Sequence, residues 1–143
     1  MKLLLDSRAP AATILVRLMV GAVFLSEGLQ KWLFADLRGA GRFEKIGLPA
    51  PEILGHFVGG TEVICGLLIL LGLLTRIAAL PLLVIMMVAL VSTKWPILLS
   101  DGFWVSAHAA RTDFSMFLGS LFLLIVGGGK WSLDAYLLRK NKS

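Results

Sequence analysis

A run of mostly apolar and small residues from Glu52 to Leu74 carries a carboxylate, Glu62, at its centre. At about 1.5 Å per residue, a helix over this run would reach roughly 34 Å, enough to cross the hydrocarbon core of a bilayer. A carboxylate at that depth costs on the order of 3 kcal/mol on insertion scales, so Glu62 is expected to face protein or water rather than lipid. Gly55, Gly59, Glu62 and Gly66 follow one another at offsets of four, three and four, which puts them on one helical stripe. Gly55 and Gly59 form a GxxxG pair, the spacing that lets a second helix approach closely. The predicted helix therefore has a packing face, and its mid-membrane charge lies in that face.

The rest of the chain repeats this character. Of its 143 residues, 57% are hydrophobic, far above a soluble globular domain. The net charge of +5 could suggest nucleic acid, but the basic residues sit at helix ends and between apolar runs, without the interleaved aromatics of a nucleic-acid patch. No nucleic-acid partner is expected; the partner is the bilayer. Cys65 is the sole cysteine, which excludes an internal disulfide and a CxxC pair.

Four spans are predicted, at about 11–34, 52–74, 77–95 and 113–127, giving an all-α, antiparallel four-helix membrane bundle in one domain. The first is long and lacks a small-residue cleavage site, so it reads as a retained span rather than a signal peptide. It carries Arg17, Glu27 and Lys31, and Arg17, Gly21, Phe24, Gly28 and Lys31 share one stripe. Two helices with glycine-and-charge stripes are natural neighbours. Between them, Phe43 and Ile46 among Arg42, Glu44 and Lys45 fit a short amphipathic turn at the membrane surface, and Gly47 to Pro51 breaks the helix before the second span. Gly72 to Arg76 is a tight reversal. Lys94 and Trp95 read as an interfacial anchor, Pro96 as a stop, and residues 97–112 as a second long connection. The fourth span is short for a full crossing, so it is expected to borrow helical turns from the preceding segment or to sit where the bilayer thins locally. Ser132 is placed as N-cap of a final short helix, with Asp134 in its first turn.

Basic residues set the orientation. Both termini and the Arg76 turn gather Lys2, Arg8, Arg76, Lys130, Arg139, Lys140 and Lys142, which places both termini in the cytoplasm of a bacterial inner membrane. Counted at about 1.5 Å per residue from that side, Arg17 lies roughly 9 Å deep, Glu62 roughly 18 Å, Glu27 roughly 24 Å and Lys31 roughly 30 Å. Side chains lean toward the N-terminus of their own helix, which brings Glu62 toward Glu27, with Gln30 and Lys31 just above, and disfavours a direct Arg17–Glu62 bond. The expected polar cluster is Glu27, Gln30, Lys31 and Glu62 in the outer half of the bundle. Such carboxylates can relay protons, but they can equally lock helices together without chemistry. No metal, haem, phosphate-loop or dinucleotide motif is present in the sequence.

The order of these features resembles the DoxX family of small four-span membrane proteins. The resemblance is carried by Arg17-Leu18 through Gly28-Leu29-Gln30-Lys31, by Gly47-Leu48-Pro49-Ala50-Pro51, by Glu62 through Gly66-Leu67-Leu68 to Thr75-Arg76-Ile77, and by Gly127-Gly128-Gly129-Lys130-Trp131-Ser132-Leu133-Asp134. Asp113 stands where the family's acidic residue at the start of the fourth span, usually a glutamate, is expected. The resemblance implies a subunit of a quinone-linked membrane oxidoreductase, related to thiosulfate:quinone and terminal-oxidase assemblies or to complexes that handle thiol and oxidative stress. On that reading Glu62 and Glu27 are the proton-relay candidates. Arg17, Gln30 and Lys31 are the candidates for holding a quinone, and electrons come from a protein partner. The alternative is a non-catalytic scaffold or small-molecule carrier whose buried charges are structural. The glycine stripes could serve a second copy of the chain as readily as an internal neighbour.

Overall fold

The structure is a computed structural model and describes residues 10–140. Lys2, Arg8 and Lys142, which enter the charge bias above, lie outside the described residues. The described chain is helical, without strands: α1 (Thr13–Leu33), α2 (Ala35–Arg38), α3 (Ala40–Lys45), α4 (Pro51–Leu71), α5 (Thr75–Ala89), a π-helical turn (Leu90–Lys94), α6 (Trp95–Asp101), α7 (Phe103–Val126) and α8 (Leu133–Lys140). Four of its helical stretches are long and apolar enough to cross a membrane: Thr13–Leu33, Pro51–Leu71, Thr75–Asp101 and Phe103–Val126.

Each span contributes a residue to the centre of the bundle. Phe24 of α1, Ile69 of α4, Leu82 of α5 and Leu123 of α7 are all at most 1% exposed. Outward positions such as Leu15, Ile53, Ile64, Val84 and Ile125 are large, apolar and uncovered, as a lipid-facing surface requires.

The most extensive packing is between α1 and α4, followed by α5 against α7. The first pair is held by the glycine stripes. A Cβ at Gly28 would lie 2.6 Å from the carbonyl oxygen of Gly59, and one at Gly66 would lie 3.0 Å from that of Gly21. These pairings, 28 with 59 and 21 with 66, make α1 and α4 antiparallel and bring their backbones closer than any side chain would permit. Gly55 differs from its expected role: a Cβ there would meet the backbone of Ala40, so this glycine seats the α2–α3 connection against α4. The predicted amphipathic turn is α3, with Phe43 turned inward.

Pro51 opens α4 at its first turn, where the missing N–H is harmless. Gly72, at φ 68°, closes it. The Gly72 N–H donates to Ile69 and the Leu73 N–H to Leu68, at 3.1 and 2.9 Å, the paired bonds of a Schellman ending.

Two expectations change in the second half. Pro96 does not end the third span, which continues to Asp101. The helix widens into the π turn immediately before the proline, and this relieves the clash of the ring with the preceding turn. Residues 97–112 are accordingly not a long connection: the short fourth span does borrow turns from the preceding segment, its helix starting at Phe103 rather than near Asp113, and Gly102 at φ 86° makes the bend.

Candidate functional site

The bundle has two polar ends of different kinds. At the end that carries the Gly72 turn and the start of α1, Arg17 is 2% exposed. Its Nε donates to the Ile69 carbonyl at 2.8 Å and Nη2 to Leu70 at 2.5 Å, while Nη1 donates to Gly128 at 3.2 Å and Trp131 at 2.5 Å. Ile69 and Leu70 expose the final carbonyls of α4, where a cation also meets the negative end of the helix dipole. The guanidinium fork thus ties α1, the end of α4 and the segment after α7 together.

Asp134 completes this end. Ser132 is the N-cap of α8 as expected, accepting from the Ala135 N–H at 3.1 Å. Asp134 does more than sit in the first turn of its own helix. It accepts from the N–H groups of Leu74 and Thr75 at 2.7 and 3.1 Å, so it caps the start of α5. The short amphipathic closing segment therefore satisfies the exposed backbone donors of a membrane span.

At the opposite end a cavity of about 480 Å³ lies between the helices. Its walls are mostly apolar, with Phe24, Phe43, Met86 and Met116 among them. Glu27 and Lys31 reach it from α1 and Glu62 from α4. The Lys31 Nζ stands 2.6 Å from Oε2 of Glu62, with the two side chains 11% and 2% exposed. Facing them on the other helix pair, Lys94 of the π turn lies 3.2 Å from Asp113 of α7. Ser92, also in the π turn, lines the cavity, and its buried hydroxyl has no hydrogen-bond partner. π turns recur at functional sites because they re-aim side chains that a regular helix would point elsewhere.

The predicted cluster is thus brought together in part. Glu27, Lys31 and Glu62 share one cavity. Gln30 does not join them: its amide donates to Ser26 Oγ at 3.0 Å on the flank of α1. Arg17, placed from sequence beside a bound ring, belongs to the far end and is fully engaged by backbone carbonyls. Lys94 and Asp113 are the cavity residues that sequence reasoning assigned elsewhere, Lys94 to an interfacial anchor. Arg38 and Arg42, on the short helices of the first connection, also border the cavity.

The fold and the cavity together define a polytopic four-helix membrane protein with an apolar chamber bearing ion pairs. The DoxX family model matches residues 12–95, and the chain belongs to that family. It is 51% identical to an uncharacterized membrane protein of Mycobacterium tuberculosis, over 96% of this chain and 88% of the relative. It is 28% identical to a Bacillus subtilis protein named "Putative oxidoreductase CatD", over 92% of this chain and 90% of that protein. An uncharacterized protein of Haemophilus influenzae is 30% identical, over 87% of this chain and 82% of its own length. No solved structure matches the chain. It is a multi-pass membrane protein with bacterial relatives.

Proposed function

We propose that the chain is the membrane subunit of a quinone-linked oxidoreductase, with both termini in the cytoplasm, and that the cavity receives the quinone ring while Glu62 and Glu27 handle its protons. The observation that carries this reading is the Lys31–Glu62 pair on the wall of a mostly apolar chamber. Burying an ion pair costs desolvation that packing alone would not require, so charges placed against a cavity rather than against protein point to a ligand. The donor set fits such a ring. The Ser92 hydroxyl lacks a partner, and Lys31 has N–H groups beyond the one directed at Glu62.

A bound quinone would supply two-electron, two-proton redox chemistry. Lys31 positions the Glu62 carboxylate and keeps it from the lipid. Glu62 accepts or returns a proton at its carboxylate oxygen, and Glu27 offers a second carboxylate in the same chamber. The apolar walls exclude bulk water. Electrons come from a protein partner. The Bacillus subtilis relative named as an oxidoreductase supports this class.

The experiment is twofold. Organic extracts of the gently purified protein should contain quinone, and the Ser92→Val and Lys31→Met variants should retain less. In membranes that hold the partner, Glu62→Gln should lower quinone-linked turnover by about 100-fold, the usual scale for losing a proton-transfer group. Quinone-free extracts would remove the ligand, and unchanged turnover would remove the relay. The scaffold reading, which the close glycine contacts of α1 on α4 favour, instead predicts that Glu62→Gln lowers assembly and thermal stability with no separate loss of activity.

A further inference from the structure

The rim of the cavity, as distinct from its deep wall, has its own chemistry. Phe57 of α4 and Val84 and Val88 of α5 line the cavity, yet they are 69%, 63% and 47% exposed. Residues that are both cavity wall and outer surface stand at an opening. The exposed apolar edge of the cavity is therefore contributed by α4 and α5, which are joined by the tight Gly72–Leu74 turn. Arg38 and Arg42 border the same cavity. The cavity is bordered by four cations, Lys31, Arg38, Arg42 and Lys94, and by three carboxylates, Glu27, Glu62 and Asp113. Both lysines are in ion pairs, whereas the two arginines have no carboxylate within ion-pair distance among the described residues.

We propose that this rim binds an acidic phospholipid, its acyl chain on the exposed apolar edge of α4 and α5 and its headgroup phosphate held by Arg38 and Arg42. Guanidinium forks match phosphate oxygens, and they keep their charge at any physiological pH. The exposed Leu33, Phe34 and Leu37 beside them set the α2–α3 connection at the membrane interface, the depth of phosphodiester headgroups. A free anion would satisfy the arginines but leave Phe57, Val84 and Val88 uncovered; an acyl chain covers them. The bound lipid closes the chamber from the side. Nothing in this depends on a quinone: the lipid occupies the rim, and the Lys31–Glu62 pair lies on the deeper wall.

The test uses the full chain in a mild detergent, with phosphatidylglycerol, phosphatidylcholine and inorganic phosphate as separate probes. Retained lipid is read by native mass spectrometry and thermal unfolding. Phosphatidylglycerol should be retained at least about tenfold over phosphatidylcholine, in line with two arginines near an anionic headgroup, and it alone should raise the unfolding temperature. Arg38→Gln with Arg42→Gln should equalise the two lipids. Val84→Trp, which fills the opening, should lower retention with both arginines intact, whereas Ile125→Trp on another exposed face should not. All these positions are exposed, so the lipid-free variants should unfold as the parent does. A preference that survives the double arginine variant or Val84→Trp, or a shift that inorganic phosphate reproduces, overturns the proposal.

Discussion

The backbone N–H of Leu74 donates to Oδ1 of Asp134 at 2.7 Å, so a residue of the closing segment caps a membrane span from sixty positions further along the chain than Leu74. Leu74 is itself left-handed at φ 50°, an unfavourable conformation for a residue with a branched side chain. Asp134 holds it there while also accepting from Thr75. Asp134→Ala should cost about 2–3 kcal/mol, because two backbone donors in a buried turn lose their acceptor. Asp134→Asn, which keeps one acceptor oxygen, should recover part of the loss. Thermal unfolding of the detergent-solubilised variants measures both.

Arg17→Lys should behave as a disruptive change despite retaining the charge. Four carbonyls accept from a planar fork whose reach and angles an ammonium cannot reproduce. An ammonium has three N–H groups for four carbonyls, so at least one would be left without a donor, for a loss of about 1–3 kcal/mol. The lower unfolding midpoint should come with earlier proteolysis at the end of α7 if the closing segment detaches.

The Lys31–Glu62 pair should show strong coupling. Lys31→Met or Glu62→Gln alone leaves an unpartnered buried group and should cost about 3 kcal/mol. The double variant should be less damaged than the sum of the two, since neither half remains to be satisfied. A double-mutant cycle on unfolding free energies checks this, and additive losses would mean that the two groups do not interact.

Gly28→Ala should separate α1 from α4, because the added methyl would stand 2.6 Å from the Gly59 carbonyl oxygen. An overpacked contact of this kind costs about 1–3 kcal/mol. Gly60→Ala, on the same helix as Gly59 but with its nearest neighbour 3.5 Å away, is the matched control and should leave the unfolding midpoint close to the parent.

Much of this architecture was legible because membrane helices state their length and their packing face openly. Four apolar runs and two stripes of small and charged residues were enough to pair α1 with α4 and to bring Glu62, Glu27 and Lys31 together. Periodicity fixes the face of a helix but not which segment meets it, so the destination of Arg17 was not readable: its partners are backbone carbonyls, which carry no residue signature. Gln30 shared the right depth but not the right azimuth. Pro96 read as a stop because proline removes a donor and crowds the preceding turn. A π turn accommodates both effects and leaves no mark in the sequence, and the same turn concealed that Ser92 and Lys94 line the cavity.

Each ion pair of the chamber stays within one half of the bundle, Lys31–Glu62 joining α1 to α4 and Lys94–Asp113 joining the third span to α7. Among the described residues none bridges the seam between the halves, while Arg17 and Asp134 fasten the opposite end. The two kinds of cohesion are thus divided along the molecule: polar bonds cross between the halves at one tip, whereas at the chamber the halves meet through apolar side chains such as Phe24, Met86 and Met116.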